Sequence, residues 1–484
     1  MKKTIALLLL LSTLLCLFAA CKEEPDATPT VGGDENFETK ETVISDNLPD
    51  VDMEDFEFRI FTNNPARYDW ADVIIAPEKY TGEDIYDAMF ERNAYISERF
   101  NCYISVTQES STSLVNSAKI QNLALSGDTA SNPHLVMHME KWVMNSAQYF
   151  VDWKNVPYVS IGEEYWNPGV SDLFNVRGKQ VALSGSFSLG VVSRTVVLLF
   201  NKEMYEQYHG NISTMYNYVT DNEWTIEKFY ELSKSVVVNP DEIWDDTDQF
   251  GISSAYKELY TILMVGSGVT FVEKDEDGIP NFSLPGDGYA VEKMQKILQL
   301  CQDNDVHYTQ SKDVHEPDPQ KCFENGRTLF AVRALFDIPG VRSMMEQEFG
   351  ILPAPKYDTE QDDFRNITFG GEMACMLITV KEEDREKIGI LMEALSFYSH
   401  QNLIPIYKDK LLKTRFASDE DSRAMLDIIF NTTVSEIGVS LFEDIILVPL
   451  VEKIYMPKKD VIASTLTGMS SVHTEIAKML KSIK

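Results

Sequence analysis

The sequence predicts an α/β fold, because short strand-like runs alternate along the chain with segments of helical periodicity. Residues 56–61 alternate apolar and polar side chains, and residues 102–107 and 134–138 form two further strand-like runs. Between the first two runs, residues 81–100 carry apolar side chains at helical spacing. A strand, a helix and a second strand in this order indicate a layered α/β domain.

Later segments continue the alternation. Thr225 can cap a helix whose apolar face includes Ile226 and Phe229. Residues 384–399 also place their apolar side chains on one helical face. Residues 191–200 are apolar apart from a few polar positions, which predicts a buried strand.

The amino terminus has the pattern of a secreted lipoprotein. Lysines at positions 2 and 3 precede an apolar run that ends at Ala20, and Cys21 follows. A charged start, an apolar middle and small residues before a cleavage site are typical of a secretory signal. The run is at the short end for a membrane span. We therefore expect residues 1–20 to be removed and Cys21 to be lipidated, since stable anchoring requires more than one acyl chain.

The remaining composition limits the partners. Residues 21–50 are polar and acidic with Pro and Gly, which predicts a disordered tether. The formal net charge of −33 argues against nucleic acid and anionic lipid headgroups as partners. The length of the rest suggests two or three domains. We place the mature protein on the extracellular face of the cytoplasmic membrane, as a lipid-anchored monomer.

The sequence contains no motif that favours catalysis or metal binding. It has neither a P-loop nor a zinc-protease helix, so we expect no enzyme activity and no cofactor. Residues 239–249 are acidic but lack the central glycine and closing acid of a calcium loop, so no metal site is expected. Four cysteines remain after the anchor, without CxxC spacing, and buried free thiols are favoured over disulfides: Cys102, Cys301, Cys322 and Cys375.

Short segments in a fixed order resemble the extracellular solute-binding proteins of ABC importers, in the sugar-type group that includes maltose-binding protein and its Gram-positive lipoproteins. The segments that carry this resemblance are YTGEDIYDAMFERN at 80–93, YWNP at 165–168 with GKQVAL at 178–183, LLFNKEMY at 198–205, EWTIEKF at 223–229, FGI at 250–252, FENGRTLF at 323–330, FGILP at 349–353 and FGG at 369–371.

The resemblance implies a two-lobed periplasmic-binding-protein-like fold of type II, with hinge crossovers and a central cleft. The amino-terminal lobe would comprise residues 51–187 and 372–413, and the carboxy-terminal lobe residues 188–371 and 414–484. The chain would cross between the lobes near residues 186–190, 369–372 and 411–415. Solute would bind in the cleft, and the lobes would close over it by hinge motion.

Candidate binding residues lie at the ends of predicted strands, where polar and aromatic side chains suited to sugars occur together. Asn63, Asn64 and Trp70 follow the first strand, although Asn-Asn-Pro also favours an ordinary turn. His138, Glu140 and Trp142 follow the third, and Trp142 could equally be part of a helix core. The other candidates are placed by the implied crossovers and by the family's ligand-contacting segments: Ser188, Arg194, Arg333, Phe336, Gly371 and Glu372. A structural salt bridge stays open for Arg194.

These features together predict a lipoprotein that binds a small solute, a mono- or oligosaccharide, and delivers it to an ABC permease. Two alternatives keep the same fold. The protein could be a sensor that presents its closed form to a membrane receptor, or a binder of peptides or other polar solutes.

Overall fold

The computed structural model describes residues 46–63, 80–109, 115, 117–239, 248–301, 306–308, 319–368, 371–412 and 420–483. The strands within these ranges are β1 Phe56–Thr62, β2 Cys102–Gln108, β3 Leu135–Met139, β4 Asn175–Val176, β5 Lys179–Gln180, β6 Val196–Asn201, β7 Phe250–Ser253, β8 Val272–Lys274, β9 Pro280–Phe282, β10 His307–Tyr308, β11 Thr328–Ala334, β12 Phe349–Leu352, β13 Asn366–Ile367, β14 Glu372–Met376 and β15 Thr433–Val434.

Helices of eight or more residues alternate with these strands. They are Asp84–Phe100, Ser117–Ser126, Lys202–His209, Ser213–Thr220, Ile226–Ser235, Tyr256–Gly266, Gly288–Cys301, Glu382–Tyr398, Ile404–Leu412, Glu420–Asn431 and Ser471–Ser482. Shorter helical segments used below are Glu140–Val143, Gly190–Ser193 and Ile437–Ser440. In the described part of the chain, no helix has both the length and the apolar character that a membrane span requires.

The first sheet is built mainly from the amino-terminal part of the chain. Its described strands have the order β14-β3-β1-β2. β1 lies parallel to both β2 and β3, and the helix Asp84–Phe100 makes the connection that a parallel pair needs. β14 pairs antiparallel with β3, with Glu372 opposite Met139. This sheet is therefore completed by a strand from much later in the sequence.

The second sheet has the order β10-β7-β11-β6-β12 among the described strands. β7 runs parallel to β10 and β11, whereas β6 runs antiparallel between β11 and β12. Along the chain, β6 is the first strand of this sheet after β3, and β14 is the first strand to return from it. The chain therefore passes from the first sheet to the second and back again.

Segments that run between the two sheets lie side by side. Thr195 forms an antiparallel bridge with Thr368. The Thr368 hydroxyl donates to the Val191 carbonyl at 2.8 Å, and its backbone N–H donates to the Val434 carbonyl at 2.9 Å. Three stretches distant in sequence are thus hydrogen-bonded to one another between the sheets.

A buried carboxylate fixes one of the long connections beside the first sheet. Glu393, on the helix Glu382–Tyr398, is 2% exposed. It accepts hydrogen bonds from the Tyr165 hydroxyl at 2.6 Å, the Trp166 indole at 2.8 Å and the Ser160 backbone at 3.0 Å. A single acid therefore satisfies three donors of a segment that has little regular structure.

Most predicted elements of the first half are confirmed, with small shifts at their ends. The Thr225 hydroxyl accepts from the Lys228 N–H at 3.3 Å and so caps its helix as predicted. The first long helix begins at Asp84 rather than at residue 81. The Asp87 carboxylate accepts the backbone N–H groups of Thr81 and Gly82, which holds these two residues in a turn before the helix.

The predicted strand at residues 191–200 is wrong in its first half. Gly190–Ser193 forms a helical turn, and β6 begins only at Val196. The Ser188 hydroxyl accepts from the Gly190 N–H at 3.1 Å at the start of this turn. The apolar side chains that suggested a strand, Val191 and Val192, are instead buried by a helical backbone.

Two of the cysteines follow the prediction: Cys102 and Cys375 are buried free thiols. Cys322 is buried as well. Residues 240–247, the acidic part of the segment judged unsuitable for calcium, lie outside the described residues.

Candidate functional site

A cavity of about 410 Å³ lies between the two sheets. It is placed where β3, β7 and β11 end and where β6 begins, so four strands of opposite sheets converge on it. Its wall consists of Met139, Lys141, Arg194, Val196, Ala255, Lys257, Glu258, Pro319, Gln320, Val332, Arg333, Ala334, Phe336, Asp337, Val439, Ser440 and Glu443. Beyond the carboxyl ends of strands is where open α/β sheets place their ligands.

Charged side chains of both signs line this cavity. Four are basic, Lys141, Arg194, Lys257 and Arg333, and three are acidic, Glu258, Asp337 and Glu443. This balance differs from that of the whole chain, which has 76 acidic and 43 basic residues. The Lys257 ammonium lies 2.7 Å from a Glu443 carboxylate oxygen. The cavity therefore offers both hydrogen-bond donors and acceptors to a polar ligand.

Asp337 and Phe336 belong to the short turn that follows β11. The Asp337 carboxylate accepts the Ala334 N–H at 3.2 Å, and burial raises the pKa of this acid. Phe336 is 37% exposed and is the aromatic side chain among the described residues of the cavity wall. An exposed ring beside charged groups suits a ligand that has both apolar faces and hydroxyls.

Two buried carboxylates lie next to the wall, on the first sheet. Glu372 is 1% exposed and accepts hydrogen bonds from the Asn63 amide and, at 3.2 Å, from the Thr62 hydroxyl. Burial raises the pKa of Glu372 to about 7, even though these bonds favour the ionised form. Its register partner in β3 is Met139, which lines the cavity.

Glu140, the second carboxylate, is fully buried and linked to both halves of the site. Its N–H donates to the Gly371 carbonyl at 3.0 Å, and its side chain accepts from the Ser435 hydroxyl at 2.8 Å. Burial raises the pKa of Glu140, and the nearby Arg194 guanidinium opposes this change. Glu140 therefore joins the end of β3 to the segments that pass between the sheets.

The structure brings several sequence-predicted residues together. Arg194, Arg333 and Phe336 all line the cavity. A second group, made of Asn63, Glu140, Gly371 and Glu372, lies behind the wall. As placed, these four residues hold the ends of β1, β3 and β14 in position rather than face the cavity. Asn63 illustrates this, because its amide oxygen accepts from the Val115 N–H at 2.7 Å while its nitrogen donates to Glu372.

Three other predicted residues are not part of this cavity. His138 is buried, with its Nδ1 3.1 Å from the Val115 carbonyl, and burial lowers its pKa to about 4. Ser188 is buried and caps the turn at Gly190. Trp142 faces a different cavity, described below. Asn64, Trp70 and Cys21 lie outside the described residues.

Sequence reasoning missed seven polar residues of the wall: Lys257, Glu258, Lys141, Gln320, Asp337, Ser440 and Glu443. The first two could have been found, because they follow the apolar segment of β7 just as Phe336 follows that of β11. The last two come from a carboxy-terminal segment without a strand pattern, so only the tertiary fold brings them to the site.

Comparison with known proteins concerns the fold. No protein-family model matches the chain, and no curated protein matches it in sequence. Two solved structures are similar over most of their length. UspC of M. tuberculosis is 12% identical, with a TM-score of 0.55 over 86% of this chain and 98% of its own. The ABC substrate-binding protein Lmo0181 of Listeria monocytogenes, in complex with cycloalternan, is 14% identical, with a TM-score of 0.52 over 88% of this chain and 100% of its own.

The fold is shared with an ABC substrate-binding protein. The predicted fold class, a two-lobed α/β architecture of type II, is thereby confirmed. At these identities the likeness shows the fold, and the boundaries predicted for the two lobes stay a prediction.

Proposed function

We propose that the chain is a cell-surface lipoprotein that binds a mono- or oligosaccharide and delivers it to an ABC permease. The observation that carries this proposal is the cavity between the sheets, where Arg194, Arg333 and Phe336 meet at strand ends. Sugar hydroxyls need charged and amide partners, and the apolar faces of sugar rings suit aromatic side chains. A similar fold whose structure contains cycloalternan gives further support.

In this proposal, binding closes two lobes whose boundaries are those predicted from the sequence. The segments around Thr195 and Thr368 would act as the hinge, because the chain passes through them between the sheets and they are bridged to each other, with Val434 hydrogen-bonded beside them. Ligand would shift the population toward the closed form, which a permease can recognise. Cys21 would carry the lipid anchor, and fatty-acid labelling of the chain and of its Cys21→Ser variant tests this part.

The binding proposal is tested by thermal unfolding of the full chain against a panel of mono- and oligosaccharides. A ligand that binds only the folded state at one hundred times its Kd stabilises that state by about 2.7 kcal/mol, so a clear rise in Tm is expected. Arg333→Ala and Phe336→Ala should reduce the rise. Tyr103→Ala is the matched control, because Tyr103 is 61% exposed on β2 and lines no described cavity.

Each negative result has a distinct meaning. If peptides or organic anions raise the Tm and no saccharide does, the proposed solute binding is supported and the saccharide assignment is wrong. If a saccharide binds and both cavity variants respond like the wild type, the site has been placed wrongly.

A further inference from the structure

A second cavity adjoins the one described above. It has a volume of about 420 Å³, nearly the same as the first. Lys141 and Glu443 line both cavities, so the two spaces meet at these side chains. Lys141 follows β3 of the first sheet, whereas Glu443 comes from the carboxy-terminal part of the chain. The boundary between the cavities therefore includes one long polar side chain from each side of the site.

Beside the buried Phe442, the second cavity has a partly exposed aromatic side chain of its own. Trp142, in the short helix Glu140–Val143, is half-buried and lines this space, whereas Phe336 lines only the first. The Lys141 ammonium lies 5.1 Å from the centre of the Trp142 ring, within the range of a cation–π contact. Each cavity thus combines one partly exposed ring with the shared Lys141 and Glu443.

Polar groups also surround Trp142. Asn145 and the pair Glu475 and Lys478 line the second cavity, and the last two are in salt-bridge contact on the helix Ser471–Ser482. The chemistry of the first cavity is therefore repeated in the second. A single compact ligand would fill only one of two spaces of equal size, and the other ring would stay in contact with water.

We propose that both cavities are subsites of one extended ligand, an oligosaccharide whose chain passes between Lys141 and Glu443 and stacks one sugar unit on Trp142. This inference rests on the proposed saccharide binding and narrows the substrate class from sugars in general to oligosaccharides. Trp142 is then the residue that selects for ligand length. Lys141 and Glu443 offer a donor and an acceptor to the hydroxyls between the two sugar units.

The test measures the affinity of the full chain for saccharides of increasing length by calorimetry. Glucose, maltose and maltotetraose form one series, and the matching xylose- and mannose-based series are measured in parallel. The tetrasaccharide of the series that binds should bind about tenfold or more tightly than its monosaccharide, because a buried aromatic contact typically contributes at least that much. Trp142→Ala should remove this gain, so that the tetrasaccharide and the monosaccharide bind the variant with similar affinity.

Two other variants separate the subsites. Phe336→Ala should weaken short and long saccharides alike, because it removes the ring of the first cavity. Asn145→Trp should fill the second cavity and, like Trp142→Ala, abolish only the gain with length, so the test survives if one variant fails to fold. Tyr103→Ala serves again as the control and should match the wild type.

Equal affinity for the monosaccharide and the tetrasaccharide would overturn the extended site while leaving saccharide binding intact. Equal losses for all lengths in Trp142→Ala would also overturn it, since Trp142 would then not form a separate subsite. If no saccharide binds the wild type, the proposed function itself fails and this inference falls with it.

Discussion

Replacement of Glu372 by glutamine should change how stability depends on pH. In the folded protein this buried acid has a pKa of about 7, compared with an ordinary value of 4.5. The folded state therefore holds the proton more tightly than the unfolded state. The contribution of this tighter proton binding to the free energy of unfolding is fully present below pH 4.5 and is lost as the pH rises through about 7. Because a tenfold change in proton affinity corresponds to about 1.4 kcal/mol, the loss amounts to about 3 kcal/mol.

Glu372→Gln keeps the size and much of the hydrogen-bonding capacity of the side chain but cannot ionise. The variant should match the wild type near pH 4 and exceed its free energy of unfolding by up to about 3 kcal/mol near pH 8. Urea unfolding at a series of pH values measures this difference. Glu386→Gln, an exposed change on the helix Glu382–Tyr398, should follow the wild type throughout. A difference between Glu372→Gln and wild type that stays constant with pH would refute the reasoning.

Two further substitutions test the packing. Glu393→Ala should lower the free energy of unfolding by about 3 kcal/mol or more, because it leaves three donors without their acceptor. The exposed control Glu386→Ala should change it by less than about 0.5 kcal/mol. Equal effects of the two substitutions in urea unfolding would contradict this prediction. Gly251→Ala should lower the free energy of unfolding by about 1–3 kcal/mol, since the added Cβ would lie 2.3 Å from the Ser233 carbonyl oxygen. Gly288→Ala is the control, because the space around its added Cβ is open. A Gly251→Ala protein as stable as the control would show that the helix and strand can separate.

Patterns in the sequence predicted the elements whose periodicity is long or regular. β1 alternates between buried and more exposed positions at its start, and the helix Ile226–Ser235 buries Ile226 and Phe229 on one face. Such elements have one face to the core, so their apolar spacing reports their geometry directly. Residues 191–200 failed because a short run that is buried on all sides has no periodicity to read.

The candidate site was predicted in part for the same reason. Arg194 stands out because it interrupts an apolar segment, and a charge in such a segment must be paired or face a cavity. Arg333 was predicted from the resemblance, as part of a segment that contacts ligand in the family. Asn63 and Glu372 were placed at the right strand ends, but the structure shows that they hydrogen-bond to each other. A contact between two residues so distant in sequence cannot be predicted from a single sequence. Glu443 was not predicted, because its place in the cavity wall depends on how the carboxy-terminal segment packs in the tertiary structure.

The position of β14 has a consequence for the growing chain. Until residues 372–376 emerge from the ribosome, β3 has no partner on one side and stays an exposed edge of the first sheet. An unpaired edge readily joins other strands, so the nascent protein is vulnerable to aggregation while the residues between β3 and β14 are synthesised. In the secretion route proposed above, export before compact folding would keep this incomplete sheet from forming in the cytoplasm.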